Sequence, residues 1–262
     1  MIIYIKKIPY YFYCFFRVFF VLKNPLSLIF PIFGKMTTLV FRDGMKLTIN
    51  EPMQILLISE TLLDDVYGVF EDAKDDSVFV DIGAAIGDLT TRYGFLYPKS
   101  TILGVEPSTR TYALLTKNTS DNNLKNVKTI NKAVGSEKRY TLNLSSVIGC
   151  DTLSDEKNMY DRQDKMETIA GITLSEILAT YLKGKDIDFL KIDCEGAELD
   201  IIKTIKESDF SKIHRIAIEY HNHITPKEDE IIRDLLKKRG YKVRIVKDKH
   251  YEFLGYLFAK KE

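Results

Sequence analysis

From residue 78 onward, short apolar runs alternate with amphipathic segments, and this alternation constrains the fold more than any other feature of the chain. The apolar runs predict five strands, at residues 78–82, 101–106, 127–133, 187–193 and 213–220. Helical periodicity and capping signals lie in most of the segments between them. Strands that alternate with helices favour an α/β domain with a doubly wound, mostly parallel sheet of the Rossmann-like kind.

Local signals refine this prediction. Capping boxes at Thr173/Glu176 and Thr225/Glu228 predict two helix starts. The last two predicted strands, 242–246 and 253–259, have no helix between them, so they should form an antiparallel hairpin at the C-terminal edge. Residues 149–166 are polar and without period, which predicts a surface loop or a mobile lid.

Residues 1–50 form a predicted N-terminal extension, and residues 51–262 form the α/β domain. The extension should contain helices, one of them starting after Asn24, and a hairpin that turns at Asp43-Gly44. The domain should open with a helix over residues 52–70.

The first 42 residues contain six basic and no acidic residues among aromatic and aliphatic runs. Basic residues and prolines interrupt these runs, so neither a signal peptide nor a spanning helix of about 20 apolar residues fits. Two interpretations remain. Either helices pack on the domain or on another subunit, or a helix lies at an anionic membrane surface, which would place the protein at the inner membrane face.

Composition excludes other functions. A net charge of +1 provides no field that attracts nucleic acid. The three cysteines are far apart, so neither a disulfide framework nor a zinc site is expected, and a reducing cytoplasm is the predicted location. A divalent ion could be bound by the polar residues at predicted strand ends, namely Asp193, Glu195, Glu219 and His221. No spacing rule supports such a site, so no metal is predicted.

A glycine-rich turn follows the first strand of the domain and includes Asp81, Gly83, Ala85 and Gly87. Glycines at such a turn allow close approach of the backbone to a ligand. A dinucleotide site needs a glycine where Ala85 stands and another where Asp88 stands, so a diphosphate would meet two side chains. An acid at Asp81 instead suits a cofactor with an ammonium and a sulfonium, as in S-adenosylmethionine.

Glu106 ends the next predicted strand, 25 residues after Asp81. A carboxylate in this position can accept two hydrogen bonds from a ribose diol. The residue therefore strengthens the prediction of a nucleoside cofactor.

Polar residues also end the fourth and fifth predicted strands. Lys191, Asp193 and Glu195 belong to one of these ends, and Glu219 and His221 to the other. Ligands of such sheets bind beyond the carboxyl ends of the strands, so Asp193 and Glu195 should face the cleft. An ammonium inside a central strand needs a partner, and Lys191 should pair with a carboxylate such as Asp193 or Glu219. His221 is suited to accept a proton from a hydroxyl.

Five blocks together resemble the FkbM-type methyltransferases. They begin at Asp81, Val105, Ala133, Lys191 and Ile218, and the block from Lys191 to Glu198 is the most specific. The resemblance covers roughly residues 78–259. It implies a Rossmann-like fold, S-adenosylmethionine as methyl donor, and methylation of a hydroxyl on a sugar or a secondary metabolite.

The resemblance also implies residue roles. Asp81, Gly83, Gly87 and Glu106 would bind the cofactor, and Ser108 and Ala133, which stand in two of the blocks, complete that predicted site. Ala85 stands where such proteins often have asparagine, which affects the contact to the methionine carboxylate. Asp193, Glu195, Glu219 and His221 would lie near a small-molecule or glycan acceptor.

The expected reaction is a direct displacement with His221 as the first candidate for the base. Asp193 and Glu195 are the next candidates, and Glu219 would orient the histidine. Two alternatives stay open at this point. One is a binding module or membrane-associated scaffold that has the cofactor cleft without catalysis, and the other is an NAD(P)-dependent oxidoreductase on the same fold.

Overall fold

A computed structural model describes residues 2–145, 162–249 and 251–261 of the chain. Its centre is a seven-stranded sheet in the order β11-β12-β10-β9-β3-β4-β5. The strands are β3 (Val78–Ile82), β4 (Thr101–Val105), β5 (Val127–Ile130), β9 (Ile187–Ile192), β10 (Ile213–His221), β11 (Tyr241–Lys247) and β12 (Leu254–Lys261). The five strands from β10 to β5 are parallel, whereas β12 is antiparallel to both β10 and β11. The predicted Rossmann-like sheet with an antiparallel C-terminal edge is confirmed.

Helices connect the parallel strands because each crossover must return the chain to the same end of the sheet. They are α3 (Asp88–Leu96), α4 (Thr109–Asp121), α5 (Leu174–Thr180), α6 (Glu198–Thr204), α7 (Glu207–Phe210) and α8 (Glu228–Lys237). The predicted capping box starts α5, where the Thr173 hydroxyl accepts the Glu176 N–H and the Glu176 carboxylate accepts the Thr173 N–H. Aliphatic side chains of β3, β9 and β10 are almost completely buried beneath these helices.

A second, three-stranded sheet lies beside the main one in the order β6-β8-β7. It contains β6 (Ala133–Val134), β7 (Arg139–Ser145) and β8 (Arg162–Ile172). The prediction of a loop or lid over residues 149–166 was wrong for 162–166, which pair with β7 as part of β8. The hydrogen bonds to β7 stabilise this polar segment as a strand. Its sequence has no apolar alternation from which a strand could have been predicted. The remaining predicted loop residues, 149–161, lie outside the described residues.

The N-terminal extension is helical and then forms a hairpin, as predicted. Helix α1 (Ile2–Val21) precedes a 3-10 helix (Pro25–Phe33), and β1 (Thr37–Val40) pairs antiparallel with β2 (Lys46–Ile49). Val18, Leu22 and Leu39 are buried in one cluster with Leu114 of α4, so the extension shares a core with the α/β domain.

The next helix is shorter than predicted. Helix α2 (Met53–Ile58) continues as one π-helical turn (Ser59–Leu63) and ends there, although the sequence predicts a helix to residue 70. Asp65 adopts a positive φ of 47°, and its carboxylate accepts the N–H groups of Val69 and Phe70. This side-chain-bonded turn replaces the last predicted helical turns.

No helix in the part of the chain that the structure describes is both long enough and apolar enough to cross a membrane.

The topology fixes where a ligand site can form. From β3 the chain continues to β4 and then β5 on one side of the sheet. The later strands β9 and β10 lie on the other side of β3, so the order of the strands reverses at β3. A crevice opens at such a switch point, beyond the carboxyl ends of the strands.

Candidate active site

A cavity of about 220 Å³ lies at this switch point. Residues from the ends of β3, β4, β9 and β10 form its floor, among them Gly83, Glu106, Asp193 and His221. Met53, Leu57 and Glu60 of the α2 segment, Leu142 of β7 and Tyr256 of β12 form other walls. Because these walls come from outside the motif blocks, the sequence analysis did not predict them.

The glycine turn is fixed by contacts within the protein. A Cβ atom on Gly83 would lie 1.6 Å from the Asp193 carbonyl oxygen, and one on Gly87 would lie 2.3 Å from Cδ1 of Leu115. Both glycines also have positive φ, 74° and 77°. The sequence analysis explained them by close approach to a ligand, but the close neighbours are a strand end and helix α4. Of the two, Gly83 lines the cavity.

Ala85 has a positive φ of 46°, which is unusual for a residue other than glycine. Its N–H donates to Oε2 of Glu106 over 2.8 Å. The Glu106 carboxylate also accepts the Ser108 N–H and the Thr111 hydroxyl, at 2.9 and 2.7 Å. Glu106 is 6% exposed and lines the cavity, so these three bonds hold the carboxylate at the wall rather than in bulk solvent.

Lys191 forms a buried ion pair behind the cavity. Its Nζ lies 3.2 Å from Oδ1 of Asp81 and 3.6 Å from Oδ2 of Asp193, and it donates to the Gly83 carbonyl. Burial would lower the pKa of Lys191, but the charges of Asp81 and Asp193 outweigh it and raise this pKa. The predicted partner Asp193 is therefore correct, Glu219 is not a partner of Lys191, and Asp81 is the nearer carboxylate. The pair ties β3 to β9 beneath the glycine turn.

Tyr67 connects two carboxylates that face the cavity. Its hydroxyl lies 2.9 Å from Oδ2 of Asp193 and 2.6 Å from Oε2 of Glu219. Burial, reinforced by the charge of Asp193, raises the pKa of Glu219 well above its usual value. One phenolic proton cannot serve two acceptors at once, so a protonated Glu219 would let both contacts be hydrogen bonds. Tyr67 follows the unpredicted turn at Asp65, and no local signal in the sequence identifies it.

His221 is enclosed by carboxylates. Its Nδ1 lies 3.2 Å from Oε1 of Glu198, and its Nε2 lies 3.5 Å from Oε2 of Glu195. Burial alone would lower the pKa of His221, but Glu198, Glu195 and Glu219 together raise it well above its usual value. Glu198 is therefore a functional candidate that the sequence analysis quoted in a block without giving it a role.

Glu198 also shapes the loop after β9. Its carboxylate accepts the N–H groups of Cys194 and Gly196, with distances of 2.7 Å and 2.9 Å for the shorter bonds. The side chain is fully buried. One carboxylate thus fixes both the imidazole and the loop that carries Glu195.

Glu228 does not have the capping role that the sequence predicts for it. The expected capping box with Thr225 does not form, since Lys227 precedes α8 with a positive φ and no side-chain cap. The buried Glu228 carboxylate instead accepts the backbone N–H groups of Leu199 and His221, at 3.1 and 2.7 Å. Leu199 lies in the first turn of α6, where backbone N–H groups have no partner within the helix, and His221 ends β10, so the carboxylate supplies an acceptor to two backbone donors at the ends of these elements.

The structure divides the predicted site residues into two groups. Eight line the cavity: Gly83, Ala85, Glu106, Ala133, Asp193, Glu195, Glu219 and His221. Four lie behind its wall and support it: Asp81, Gly87, Ser108 and Lys191. Their roles in binding or catalysis remain predictions.

The charge of the cavity wall is predominantly negative. Six carboxylates line it: Glu60, Glu106, Asp193, Glu195, Glu219 and Asp248. Among the described residues, Lys132 is the single lysine or arginine side chain of the lining. A diphosphate would be repelled by this wall, whereas a ligand with a sulfonium, an ammonium and a ribose diol fits it.

Ligand atoms of Asp193, Glu198 and His221 lie within 4.8 Å of one another, which is the spacing of a cation site. Both oxygens of Glu198 already accept backbone N–H groups, however, and Nδ1 of His221 faces one of them. These contacts explain the cluster as an ion pair between His221 and Glu198 in which backbone N–H groups hold the carboxylate. The absence of a metal from the mechanism remains a prediction.

Comparison with known proteins gives consistent results. Residues 81–243 match the family model described as the Methyltransferase FkbM domain, which is more than half of the chain. "Methyltransferase 1" of Beauveria bassiana (strain ARSEF 2860) is 27% identical over 203 residues, covering 71% of this chain and 80% of that protein. "Methyltransferase sdnD" of Sordaria araneosa is 28% identical over 191 residues, covering 62% and 73%.

Among solved structures, precorrin-6y C5,15-methyltransferase from Geobacter metallireducens GS-15 aligns with a TM-score of 0.44 and 15% identity, over 82% of this chain and 90% of that one.

Proposed function

The chain belongs to the FkbM methyltransferase family, and on this premise we propose that it methylates a hydroxyl group of a sugar, a glycan or a secondary metabolite. Family membership makes it an S-adenosylmethionine-dependent methyltransferase. The oxygen as methyl acceptor and the class of the acceptor molecule are the parts that we propose.

The acid-lined cavity at the switch point is the observation that carries the proposal. Glu106 is held at the wall where it can accept hydrogen bonds from a ribose diol. Asp193 offers negative charge to the cationic end of the cofactor. When bound, S-adenosylmethionine supplies a methyl group on a positively charged sulfur, which makes that methyl group electrophilic.

The remaining chemistry belongs to the side chains of this protein. A neutral alcohol is a poor nucleophile, so a base must accept its proton as the new bond forms. His221 is the first candidate, because its Nε2 edge lies beside the cavity-lining Glu195 while Nδ1 faces Glu198. A carboxylate behind an imidazole holds the ring and stabilises the imidazolium that results from proton transfer. Glu198 takes the orienting role that the sequence analysis gave to Glu219.

The raised pKa of His221 has a consequence for this role. The imidazole holds its proton near neutral pH, and the base form becomes more abundant as the pH rises. We therefore expect the rate of methyl transfer to rise with pH on the acid side of its optimum. Asp193 and Glu195 remain the alternative bases.

Calorimetry with S-adenosylmethionine, S-adenosylhomocysteine and NAD tests the cofactor. We expect heat of binding from the first two and none from NAD. Binding of NAD alone would instead support the oxidoreductase alternative.

The acceptor requires a separate experiment. The purified protein and S-adenosylmethionine that carries a labelled methyl group would be incubated with an extract of sugars, glycans and secondary metabolites. Mass spectrometry should find the label on an oxygen. Label on nitrogen or carbon would contradict the proposed O-methylation, and cofactor binding without any transfer would support a catalytically silent module.

A further inference from the structure

A band of large apolar side chains lies exposed on the N-terminal extension. On α1, Phe12, Phe16 and Phe20 follow one another at intervals of four residues, and they are 60%, 55% and 65% exposed. The 3-10 helix exposes a second set, and Met36, shortly after that helix, is exposed as well. We call all of these residues the apolar surface: Phe12, Tyr13, Phe16, Phe20, Leu26, Ile29, Phe30, Ile32, Phe33 and Met36.

These residues are exposed although α1 is packed on the domain, because it is the opposite face of the helix that contacts the domain. Cys14 and Val18 are almost completely buried on that face, and so is Leu22 directly after the helix. The Arg17 guanidinium pairs with Asp64, and the Tyr10 hydroxyl donates to Glu60. Helix α1 also packs against the 3-10 helix, so the two parts of the apolar surface are neighbours.

The charge around the apolar surface has one sign. The first 42 residues contain six basic and no acidic residues, although acidic residues outnumber basic ones in the rest of the chain. Lys23, Lys35 and Arg42 are exposed beside the apolar residues. A soluble monomer rarely exposes so many large apolar side chains in one region, and such a surface generally marks a binding site.

We infer that the apolar surface binds to a lipid bilayer that carries anionic headgroups. Aromatic and aliphatic side chains would enter the boundary between headgroups and acyl chains, and the lysines and arginine would contact the anionic lipids. The chain would then lie on the bilayer through α1 and the 3-10 helix, with the domain held outside it.

A second copy of the chain is the rival occupant, and charge argues against it. Two-fold contact between two apolar surfaces would bring two acid-free, basic segments together. Nothing within residues 1–42 could neutralise the facing cations. An anionic bilayer supplies the missing negative charge, whereas a second copy doubles the positive charge.

Sedimentation with vesicles tests this inference. The full-length chain would be mixed with vesicles of phosphatidylcholine and phosphatidylserine, or of phosphatidylcholine alone, and pelleted. We expect pelleting with the mixed vesicles that falls with added salt, and weaker pelleting with phosphatidylcholine alone. The double variants Phe16→Ser/Phe20→Ser and Ile32→Ser/Phe33→Ser should each weaken the partition about tenfold or more.

Two controls make the result specific. Met166→Ser/Ile231→Ser removes exposed apolar side chains elsewhere on the chain and should leave pelleting unchanged. Lys23→Glu/Lys35→Glu should reduce binding to the mixed vesicles and have little effect with phosphatidylcholine alone. Binding of S-adenosylmethionine should be the same in all variants, which would show that each of them is folded.

Equal pelleting of the full-length chain and the Phe16→Ser/Phe20→Ser variant would overturn the inference. So would a dimer, measured by analytical ultracentrifugation without lipid, that the same two substitutions dissociate while vesicles pellet neither protein. In that case the apolar surface is an interface between two copies of the chain.

Discussion

Nδ1 of His221, the last residue of β10, lies 3.2 Å from Oε1 of Glu198, the first residue of the helix α6 that follows β9, and both side chains are buried. The two residues are 23 positions apart in the sequence, and the sheet brings them together because β9 and β10 pair in register. Glu198 is thereby the residue whose charge most directly controls the imidazole.

Replacement of Glu198 by Gln should lower the rate of methyl transfer about 10- to 100-fold, as expected for loss of a charge-assisted contact. The amide oxygen can still accept the Cys194 N–H, whereas the NH2 group would replace the oxygen that accepts the Gly196 N–H over the shorter distance. The pKa of His221 should fall because its strongest carboxylate neighbour has lost its charge, and the acid limb of the pH–rate profile should move to lower pH.

Nuclear magnetic resonance of the His221 ring and the pH–rate profile would measure these shifts. Glu228→Gln is the matched control, since this buried glutamate bonds the backbone N–H of His221 and not its ring. A normal rate with an unmoved acid limb in Glu198→Gln would exclude His221 as the base and leave Asp193 or Glu195.

Replacement of Glu106 by Ala should weaken binding of S-adenosylmethionine at least tenfold, because hydrogen bonds to a charged group contribute roughly 1.5–3 kcal/mol each. Isothermal calorimetry would measure the dissociation constant. Ser108→Ala is the control, since the Ser108 hydroxyl lies behind the wall and has no hydrogen-bond partner among the described residues. An unchanged constant for Glu106→Ala would remove Glu106 from the cofactor site.

Replacement of Lys191 by Met should destabilise the fold by about 3–5 kcal/mol, because it leaves the Asp81 carboxylate buried without its cation. Urea denaturation followed by circular dichroism would measure the loss. The double variant Lys191→Met/Asp81→Asn should recover much of it, since the amide can still accept the Thr90 hydroxyl. Equal destabilisation in the single and double variants would show that the pair is not a coupled unit.

Asp88 makes stability depend on pH. Burial, reinforced by the charge of Asp81, raises the pKa of Asp88 to about 6, and the hydrogen bond from Thr61 offsets part of this shift. A raised pKa means that the folded state favours the protonated carboxyl. The stabilisation is complete below the unfolded pKa of about 4 and is lost as the pH rises through about 6.

The Asp88→Asn variant should therefore gain stability over the natural protein as the pH rises from about 4 to 7, by roughly 1–3 kcal/mol. Denaturation at several pH values would give the difference in free energy of unfolding. Asp234→Asn, on the exposed face of α8, is the control and should show no rise between about pH 5 and 7. A pH-independent difference for Asp88→Asn would mean that this carboxyl titrates normally.

The sequence predicted the part of the molecule that depends on local pattern. Apolar runs predicted the strands from β3 to β12 in the main sheet, and the strand ends predicted that Asp193 and Glu195 would face the cleft, which both of them line. These predictions succeed because the carboxyl ends of parallel strands necessarily meet at one edge of the sheet.

Contacts between residues that are far apart in the sequence could not be predicted from local pattern. Tyr67 reaches Asp193 and Glu219 from a turn more than 120 residues earlier, and no local spacing encodes that distance. Glu228 matched a capping motif, but two buried N–H groups from other elements attracted its carboxylate. Strand β8 was missed because the partner strand supplies its hydrogen bonds, while its own side chains carry little apolar alternation.

The hydrogen bond from Tyr10 to Glu60 has a last consequence. Glu60 belongs to the wall of the cavity, and Tyr10 belongs to the helix that carries four of the ten residues of the apolar surface. A displacement of that helix would therefore act, through a single hydrogen bond, on a side chain that lines the cavity. Removal of the extension would take this hydrogen bond away from Glu60 and would thereby change one side chain of the cavity wall.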